Sequence, residues 1–377
     1  MLRKMIGSDQ MSLSLVSPGS FSQLLLNDTP FLDVRAEGEF AKGTIPGAHN
    51  IPILNDQERH LVGTCYKQQG KEQAVELGHS LVKGEVRQAR VDAWCRFASE
   101  NPKLHLYCWR GGMRSNLTQQ WMHEDGVEVP LIDGGYKALR RFLISVIDDT
   151  AESVSFLRIA GRTGTAKTPL VNEIKNSVDL EAHANHRGSS FGRRVSQPPS
   201  QVNFENSLAV DLLKTRTAWP ELPVILEDEG NRIGSASIPD NMFRAMKSSP
   251  AVMIDMPLEF RIQRILEEYV IEMLEEFEAE YREDGFEQFS TYLTESLSRV
   301  QKRLGRERYQ QINQLMESAL HQQEASGETA GHRAWISRLL QEYYDPMYEY
   351  QMNKEQQQFL FQGCYEDVLE WTRQYRP

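Results

Sequence analysis

Two stretches of this sequence bring together residue types that do chemistry. The first is Cys108-Trp109-Arg110-Gly111-Gly112-Met113-Arg114-Ser115. The apolar run 104–107 predicts a strand that delivers the cysteine into a loop. Two glycines there let successive N–H groups turn inward. The pattern over 116–123 predicts a helix, whose N-terminus aims a partial positive charge at the same spot. Arg114, with Arg110 near it, adds full charge. This is a cup for an anion built around a sulfur, and it favours the nucleophilic thiolate. Two chemistries use such a C-x5-R loop: phosphate-ester hydrolysis through a phosphocysteine, and transfer of sulfur or selenium.

The second stretch is Gly161-Arg162-Thr163-Gly164-Thr165-Ala166-Lys167-Thr168. It follows a predicted strand, opens a predicted helix and nearly matches the P-loop pattern G-x-x-x-x-G-K-[ST]. In that pattern backbone N–H groups wrap a phosphate, Lys167 neutralises it, and the Thr168 hydroxyl is suited to Mg2+. Ala166 departs from the pattern, which has glycine there. Its Cβ predicts crowding or an unfavourable φ. That counts against triphosphate hydrolysis and leaves binding of a diphosphate or pyrophosphate. The run 224–229, with Asp228, reads as the acid-tipped strand that partners such a loop.

The elements that must position these loops alternate. Strands are expected at 31–34, 104–107 and 129–132, with helices at 72–100 and 116–123. The turn-rich run 43–52 is expected to be a shaped loop. A second alternating unit has strands at 155–160, 224–226 and 251–254, and a helix over 168–176. From Pro257 onward the pattern is mostly helical. The reading is α/β: an N-terminal parallel-sheet domain over 18–145, then a P-loop α/β domain over 153–377 with a helical C-terminal part. The polar run 148–153 marks the boundary.

Composition bounds the class. The chain has 377 residues, 42 Lys+Arg against 53 Asp+Glu, and a net charge of −11. With 40% hydrophobic and 25% charged residues it reads as an ordinary globular protein. No run approaches the ~18–20 apolar residues that cross a bilayer, so no membrane is expected. The N-terminal twenty residues lack the apolar core of a secretory leader. Cys65, Cys95, Cys108 and Cys364 form no CxxC, so no metal site is assigned and neither zinc nor a disulfide framework is expected. The expected compartment is the cytoplasm. Residues 259–287 hold 11 acids and three arginines, and read as a solvated acidic helix face. Because that one stretch carries a net −8, the acidic total does not exclude a nucleic-acid partner elsewhere on the chain. No message is read in the Gln356–Gln358 patch.

Asp33-Val-Arg35, Glu39-Phe40, the 43–52 loop and the Cys108 loop together resemble a rhodanese domain over roughly 18–141. The C-x5-R loop is longer than that of simple sulfurtransferases and suits a phosphate-like donor. Further strings carry a resemblance over roughly 18–375 to bacterial tRNA 2-selenouridine synthases. They are Val62-Gly-Thr-Cys-Tyr-Lys-Gln-Gln-Gly70, Gly134-Gly-Tyr-Lys-Ala-Leu-Arg140, His186-Arg-Gly-Ser-Ser-Phe-Gly-Arg193, Leu226-Glu-Asp-Glu229 and Glu342-Tyr-Tyr-Asp-Pro-Met-Tyr348. The resemblance implies an enzyme that modifies the wobble 2-thiouridine of tRNA in two steps. The sulfur is first alkylated from geranyl diphosphate, and selenium from selenophosphate then displaces the geranylthio group. Cys108 would carry selenium as S-selanylcysteine, with its loop on the phosphate end of selenophosphate. The 161–168 loop would hold the diphosphate of the prenyl donor, which needs no triphosphate hydrolysis. Asp33, Arg35, Glu39, Asp228, His186 and Arg187 would support the two sites. No tightly bound cofactor is implied. The selenophosphate-making synthase is a candidate partner, and an apolar pocket of the second domain is the expected place for the prenyl chain.

For tRNA, candidate phosphate contacts are Lys137, Arg140, Arg141, Arg187, Arg193 and Arg194, and the helical face Arg299, Lys302, Arg303, Arg306. Tyr343, Tyr344, Tyr348 and Tyr350 either stack on bases or pack a helix. The competing readings are a cysteine-dependent phosphatase, a plain sulfurtransferase or kinase built on the two modules, and a non-catalytic tRNA binder.

Overall fold

The computed structural model describes residues 14–355 and 358–376. The N-terminal 13 residues, where no leader is expected, and Gln356 and Gln357 of the glutamine patch lie outside the described residues. The chain divides into two compact units, Met1–Val146 with Glu205–Leu213, and Ile147–Phe204 with Lys214–Pro377.

The first unit is built on a five-stranded sheet in the order β1-β5-β4-β2-β3. Its strands are β1 (Leu15–Val16), β2 (Phe31–Asp33), β3 (Ala48–Asn50), β4 (His105–Tyr107) and β5 (Leu131–Ile132), and every pairing is parallel. A parallel sheet is covered on both faces, so its central strands are buried throughout. Phe31, Leu32 and Asp33 all are. Leu32, Val34, Leu106, Trp94, Trp121 and Met122 share one core. In register, Asp33 sits opposite Tyr107, and the Val34 N–H donates to the Tyr107 carbonyl at 3.1 Å. The carboxyl ends of β2 and β4, and so Arg35 and Cys108, therefore emerge side by side, the edge at which open parallel sheets bind ligands. Asn206, from the Gln201–Ala218 helix, donates to the Thr44 carbonyl at 2.6 Å and accepts from Arg140 Nη1 at 2.8 Å. Those bonds explain why 205–213 belongs to this unit.

The second unit holds a parallel sheet in the order β11-β10-β6-β7: β6 (Phe156–Gly161), β7 (Val224–Glu227), β10 (Ala251–Ile254) and β11 (Phe359–Gly363). A small antiparallel pair, β8 (Arg232–Ile233) and β9 (Ala236–Ser237), lies apart from it. Helices follow β10. Two of them are interrupted by a wide turn of the i→i+5 kind, at Glu267–Ile271 and Leu340–Tyr344, an irregularity frequent at functional sites.

Five strands depart from the sequence expectation, β8 and β9 among them. β3 lies inside the 43–52 loop, β11 lies in the stretch expected to be helical, and β1 is two residues long. β1, β3, β8 and β9 are only two or three residues long, and β1 and β11 pair with strands distant in sequence, so local pattern carries little trace of them. The acidic 259–287 stretch also departs from a plain solvated face. Its apolar side is buried in the helical core, while Glu268, Glu272 and Glu276 line a cavity open to solvent.

Candidate functional site

At the first site Cys108 is buried, with 3% exposure, and its Sγ lies 3.1 Å from Ser115 Oγ. Ser115 opens the Met113–Glu124 helix and also donates to the Gly112 carbonyl at 3.1 Å. The loop is pinned from behind. Tyr136 N donates to the Cys108 carbonyl at 2.8 Å and Lys137 N to the Trp109 carbonyl at 3.0 Å. Gly135, at φ +58°, allows that approach: a Cβ there would collide with the Cys108 carbonyl oxygen and come within 2.6 Å of Gly111 N. The Gly134-Gly135 pair is thus a structural part of the cysteine loop. The sequence shows it only as two glycines after a strand.

Asp33 and Arg35 form a fully buried pair just beneath. Arg35 Nη2 lies 2.6 Å from Asp33 Oδ2, and Nε lies 3.0 and 2.9 Å from the two carboxylate oxygens. Nη2 also donates to the Gly43 carbonyl at 2.7 Å, which holds the 43–52 loop to the sheet. The guanidinium sits 3.9 Å from the centre of the Tyr136 ring and 5.7 Å from that of Trp109. Trp109 stacks on Tyr136 at 5.4 Å. Burial alone would lower the Arg35 pKa, but the Asp33 carboxylate more than compensates and keeps it raised and charged. The cysteine loop therefore rests on a fixed cation.

Arg114 does not stand free over the cup. Its Nη1 and Nη2 lie 2.6 and 3.2 Å from the two oxygens of Glu39. Burial would raise the Glu39 carboxyl, but Arg114 and the Ala36 N–H hold it below the usual range. Arg110, Trp109 and Met113 are exposed at the lip. Arg140 is committed to Glu205 and Asn206.

At the second site β6 ends in Gly161 and the loop curls to the short Lys167–Asn172 helix. Ala166 adopts φ 63°, ψ 42°, the left-handed region, so the position demands the conformation that the glycine of the motif supplies without strain. Lys167 Nζ donates to the Gly161 carbonyl at 3.0 Å, folding over the centre of the loop. The Thr165 hydroxyl donates to the Arg162 carbonyl at 2.9 Å. Behind the loop, Arg261 donates to the Thr163 carbonyl at 2.8 Å and is forked onto Asp345 at 2.6 and 3.1 Å.

Asp228, at the tip of β7, takes Arg158 at 2.7 Å and Lys247 at 3.0 Å. Of the acids that face the loop, Glu229 closes the 224–229 run expected to partner it, whereas sequence reasoning missed Glu181. The Thr168 hydroxyl donates to Glu181 Oε2 at 2.8 Å. Burial, with the neighbouring Glu229 charge adding to it, pushes Glu181 up to about 8, and burial likewise raises Glu229. A pair like this shares a proton. Glu181 lies in a run without any motif, so nothing in the sequence singles it out. Among the described residues no group of three or more His, Cys, Asp or Glu is arranged to hold a metal ion. The Thr168 hydroxyl, the candidate Mg2+ ligand of the loop, is committed to the Glu181 carboxylate.

These residues line a polar cavity of about 900 Å3, together with Lys247, Arg194 and Arg303. Arg187 reaches it but donates to the Glu268 carbonyl at 2.8 Å, lies 3.4 Å from Glu276 and sits over Tyr269. Arg194 also pairs with Glu276, at 2.9 Å. Arg187 and Arg194 are therefore charge-neutralised in this structure, and do not form the open phosphate track expected of them. His186 stays below its ordinary pKa through burial and the nearby Arg299 and Arg194, so it is neutral at pH 7. Arg299 donates to the Ser190 carbonyl at 3.0 Å, while Lys302 and Arg306 are exposed. Of the tyrosines, Tyr343 and Tyr344 are packed in the core and Tyr350 is 68% exposed. The two wide helical turns bring Tyr269 to Ser189 at 3.1 Å and Tyr344 to Ser190 at 2.5 Å. They thereby fix the 186–193 loop.

Comparison with known proteins accounts for both halves. The rhodanese-like domain family matches residues 17–141, and the family described as the tRNA 2-selenouridine synthase AAA domain matches residues 154–376. A tRNA 2-selenouridine synthase from Marinobacter nauticus is 48% identical over 94% of this chain and 96% of its own length. Others from Pseudomonas fluorescens Pf-5 and Bordetella petrii are 46% and 45% identical, over 95% and 94% of this chain and 98% and 95% of their own. A solved N-terminal domain of a protein described as ATP/GTP binding, from Clostridium difficile 630, is 33% identical over 35% of this chain and 99% of that one, with a TM-score of 0.31. With near-complete coverage at this identity, and both domain families in order, the chain is a member of the tRNA 2-selenouridine synthase family.

Proposed function

We propose that this enzyme replaces the sulfur of wobble 2-thiouridine in tRNA with selenium, acting in the cytoplasm in two steps. The sulfur is first S-geranylated from geranyl diphosphate. Selenium from selenophosphate then displaces the geranylthio group. Alkylation converts sulfur into a better leaving group, so substitution at C2 of the base becomes feasible. The observation that carries this reading is the presence of two chemically different anion cups in one chain. One is built around the buried Cys108 sulfur on a fixed Arg35 cation. The other is built around Lys167 at the end of β6. In this reading Cys108 handles selenium and Lys167 takes the diphosphate. A diphosphate donor needs no in-line water or hydrolytic metal, which suits a loop with alanine at 166 and carboxylates behind Thr168. Membership of the family and the length of the match support tRNA as the substrate. Among the described residues no helix is long and apolar enough to cross a membrane. A phosphatase is disfavoured by Arg114, whose guanidinium is forked onto Glu39 instead of facing the cup.

The test is a reconstitution. The protein is incubated with tRNA bearing 2-thiouridine, geranyl diphosphate and selenophosphate, and the nucleosides are then weighed by mass spectrometry. Geranylated nucleoside should appear without selenophosphate, and selenium nucleoside when both donors are present. Unchanged tRNA rejects the reading. Selenium nucleoside formed at full rate without geranyl diphosphate rejects the two-step order.

A further inference from the structure

The first unit contains a cavity of about 680 Å3 among the helices Asp56–Gln69, Lys71–Leu81 and Met113–Glu124. That volume lies within the roughly 300–1,000 Å3 of small-ligand sites. Its wall is apolar, with Val62, Val75, Val82, Leu117 and Trp121. Met113 and Arg114, from the cysteine loop itself, also line it, so the hollow adjoins the sulfur cup. Met113 is 49% exposed.

Two glycines are informative here. Gly63 and Gly78 lie inside helices, where glycine is disfavoured relative to alanine. Neither has a positive φ. A Cβ on Gly63 would meet nothing within 4 Å, and one on Gly78 would meet only Val62 at 3.8 Å. Backbone conformation and close packing therefore do not require them. What they provide is open volume, on the two helices that wall the cavity. The rim carries Arg59, Lys67, Lys71 and Arg114, and no carboxylate is among the lining residues. Arg59 and Arg114 share the single acid Glu39 behind them. An apolar hollow with a cationic rim fits an apolar chain carried by a polyanion.

We propose that this cavity receives the geranyl chain of S-geranylated tRNA while selenium replaces the geranylthio group beside Cys108. The proposal rests on the two-step reading of the function and moves the chain's place from the second domain, where the large cavity is lined by charged groups, to the first. In the step concerned, a lone pair on the selenium of selenophosphate forms the C2–Se bond and the C2–S bond breaks, and water then takes the phosphoryl group as the P–Se bond breaks, releasing inorganic phosphate. The bonding pair departs with sulfur as geranylthiolate, which takes a solvent proton to become geranylthiol. Selenium enters at the selenide level it already has in selenophosphate, so no oxidant or reductant is consumed. Seating the chain orients the C2–S bond toward the incoming selenium.

The experiment compares two anticodon stem-loops, one carrying S-geranyl-2-thiouridine and one carrying S-methyl-2-thiouridine, as substrates for selenium incorporation by the full-length protein. The unaltered protein should prefer the geranyl substrate in kcat/KM. Gly63→Phe, which fills the hollow, should lower the geranyl-to-methyl ratio about tenfold or more, with its fold checked by circular dichroism. An unchanged ratio, or an equal loss on both substrates, overturns the proposal. As a second measurement, a stem-loop whose geranyl chain bears a photoreactive diazirine should label peptides within residues 53–121. Labelling confined to residues beyond 153 overturns the site while leaving the two-step reading intact. Failure of the unaltered protein to convert the geranyl substrate at all would remove that reading, and the occupant with it.

Discussion

Ala166→Gly tests whether the 161–168 loop is built as described. Ala166 sits at φ 63°, ψ 42°, where the Cβ of an L-residue crowds the following carbonyl, at a cost of about 1–2 kcal/mol. Glycine removes that strain but gives up more chain freedom on folding, about 0.5–1 kcal/mol. The difference favours Ala166→Gly by about 0.5–1 kcal/mol. For a unit of this size, with ~2–4 °C per kcal/mol, the melting temperature of the second unit should rise by about 1–4 °C. Gly164→Ala should go the other way. Gly164 has φ +83°, and a Cβ there would lie 2.9 Å from the Arg261 carbonyl oxygen and 3.1 Å from Ile265 Cγ1. Arg261 cannot retreat, because Thr163 and Asp345 hold it. Strain and overlap together should cost about 2 kcal/mol or more. Both variants can be melted by calorimetry with and without pyrophosphate. If the loop wraps a diphosphate, pyrophosphate should add an increment to each melting temperature that grows logarithmically with ligand concentration. An Ala166→Gly protein that melts lower than the parent, or a Gly164→Ala protein that melts unchanged, would refute the loop geometry. A parent insensitive to pyrophosphate at high concentration would refute its assignment as an anion cup.

Cys108→Ser should abolish selenium incorporation while leaving geranylation largely intact, and Lys167→Ala should weaken geranyl diphosphate binding by about tenfold or more, the worth of one charge-assisted hydrogen bond at ~1.5–3 kcal/mol; isothermal calorimetry and nucleoside mass spectrometry read the two effects, and loss of both steps in Cys108→Ser, or normal geranylation in Lys167→Ala, contradicts the division of labour. Glu181 is raised from 4.5 to about 8 by burial and Glu229, so the folded state holds a proton that the unfolded chain releases near 4.5. Its contribution is fully present below that value and is lost as pH rises toward 8, so Glu181→Gln should flatten the fall in urea stability between pH 5 and 8 relative to the parent. Asp33→Ala leaves the Arg35 cation buried without its carboxylate and should cost about 3–5 kcal/mol, visible as a lower urea midpoint for the first unit; a change below about 1 kcal/mol would mean the pair is not buried as the structure places it.

The limits of the sequence can be seen residue by residue. The strand–loop–helix settings of Cys108 and Lys167 were legible because each needs a short apolar run, glycines at fixed offsets and a helix start, all within a dozen residues. Asp33 and Arg35 were named through the resemblance that Asp33-Val-Arg35 helps to carry, but their pairing with each other in the core was not legible. Arg114 was legible as a charge but its partner was not, since Glu39 lies 75 positions away. Glu229 was legible as part of the acid-tipped 224–229 run, but Glu181 gave no signal, and neither did the proton the two share, because that arises from burial and proximity. The wide turns at Glu267–Ile271 and Leu340–Tyr344 were likewise invisible, as each is confined to a single turn and no residue type marks it.

The order of residues along the chain by itself determined the fold class, the two chemical loops and the kinship with one family, because those depend on short-range pattern and on strings long enough to be distinctive. Only the tertiary structure decided which arginines stay available for an anion, which carboxylates keep a proton, and where an apolar chain has room. Those properties belong to the space between segments, and charge pairing, desolvation and open volume are set there.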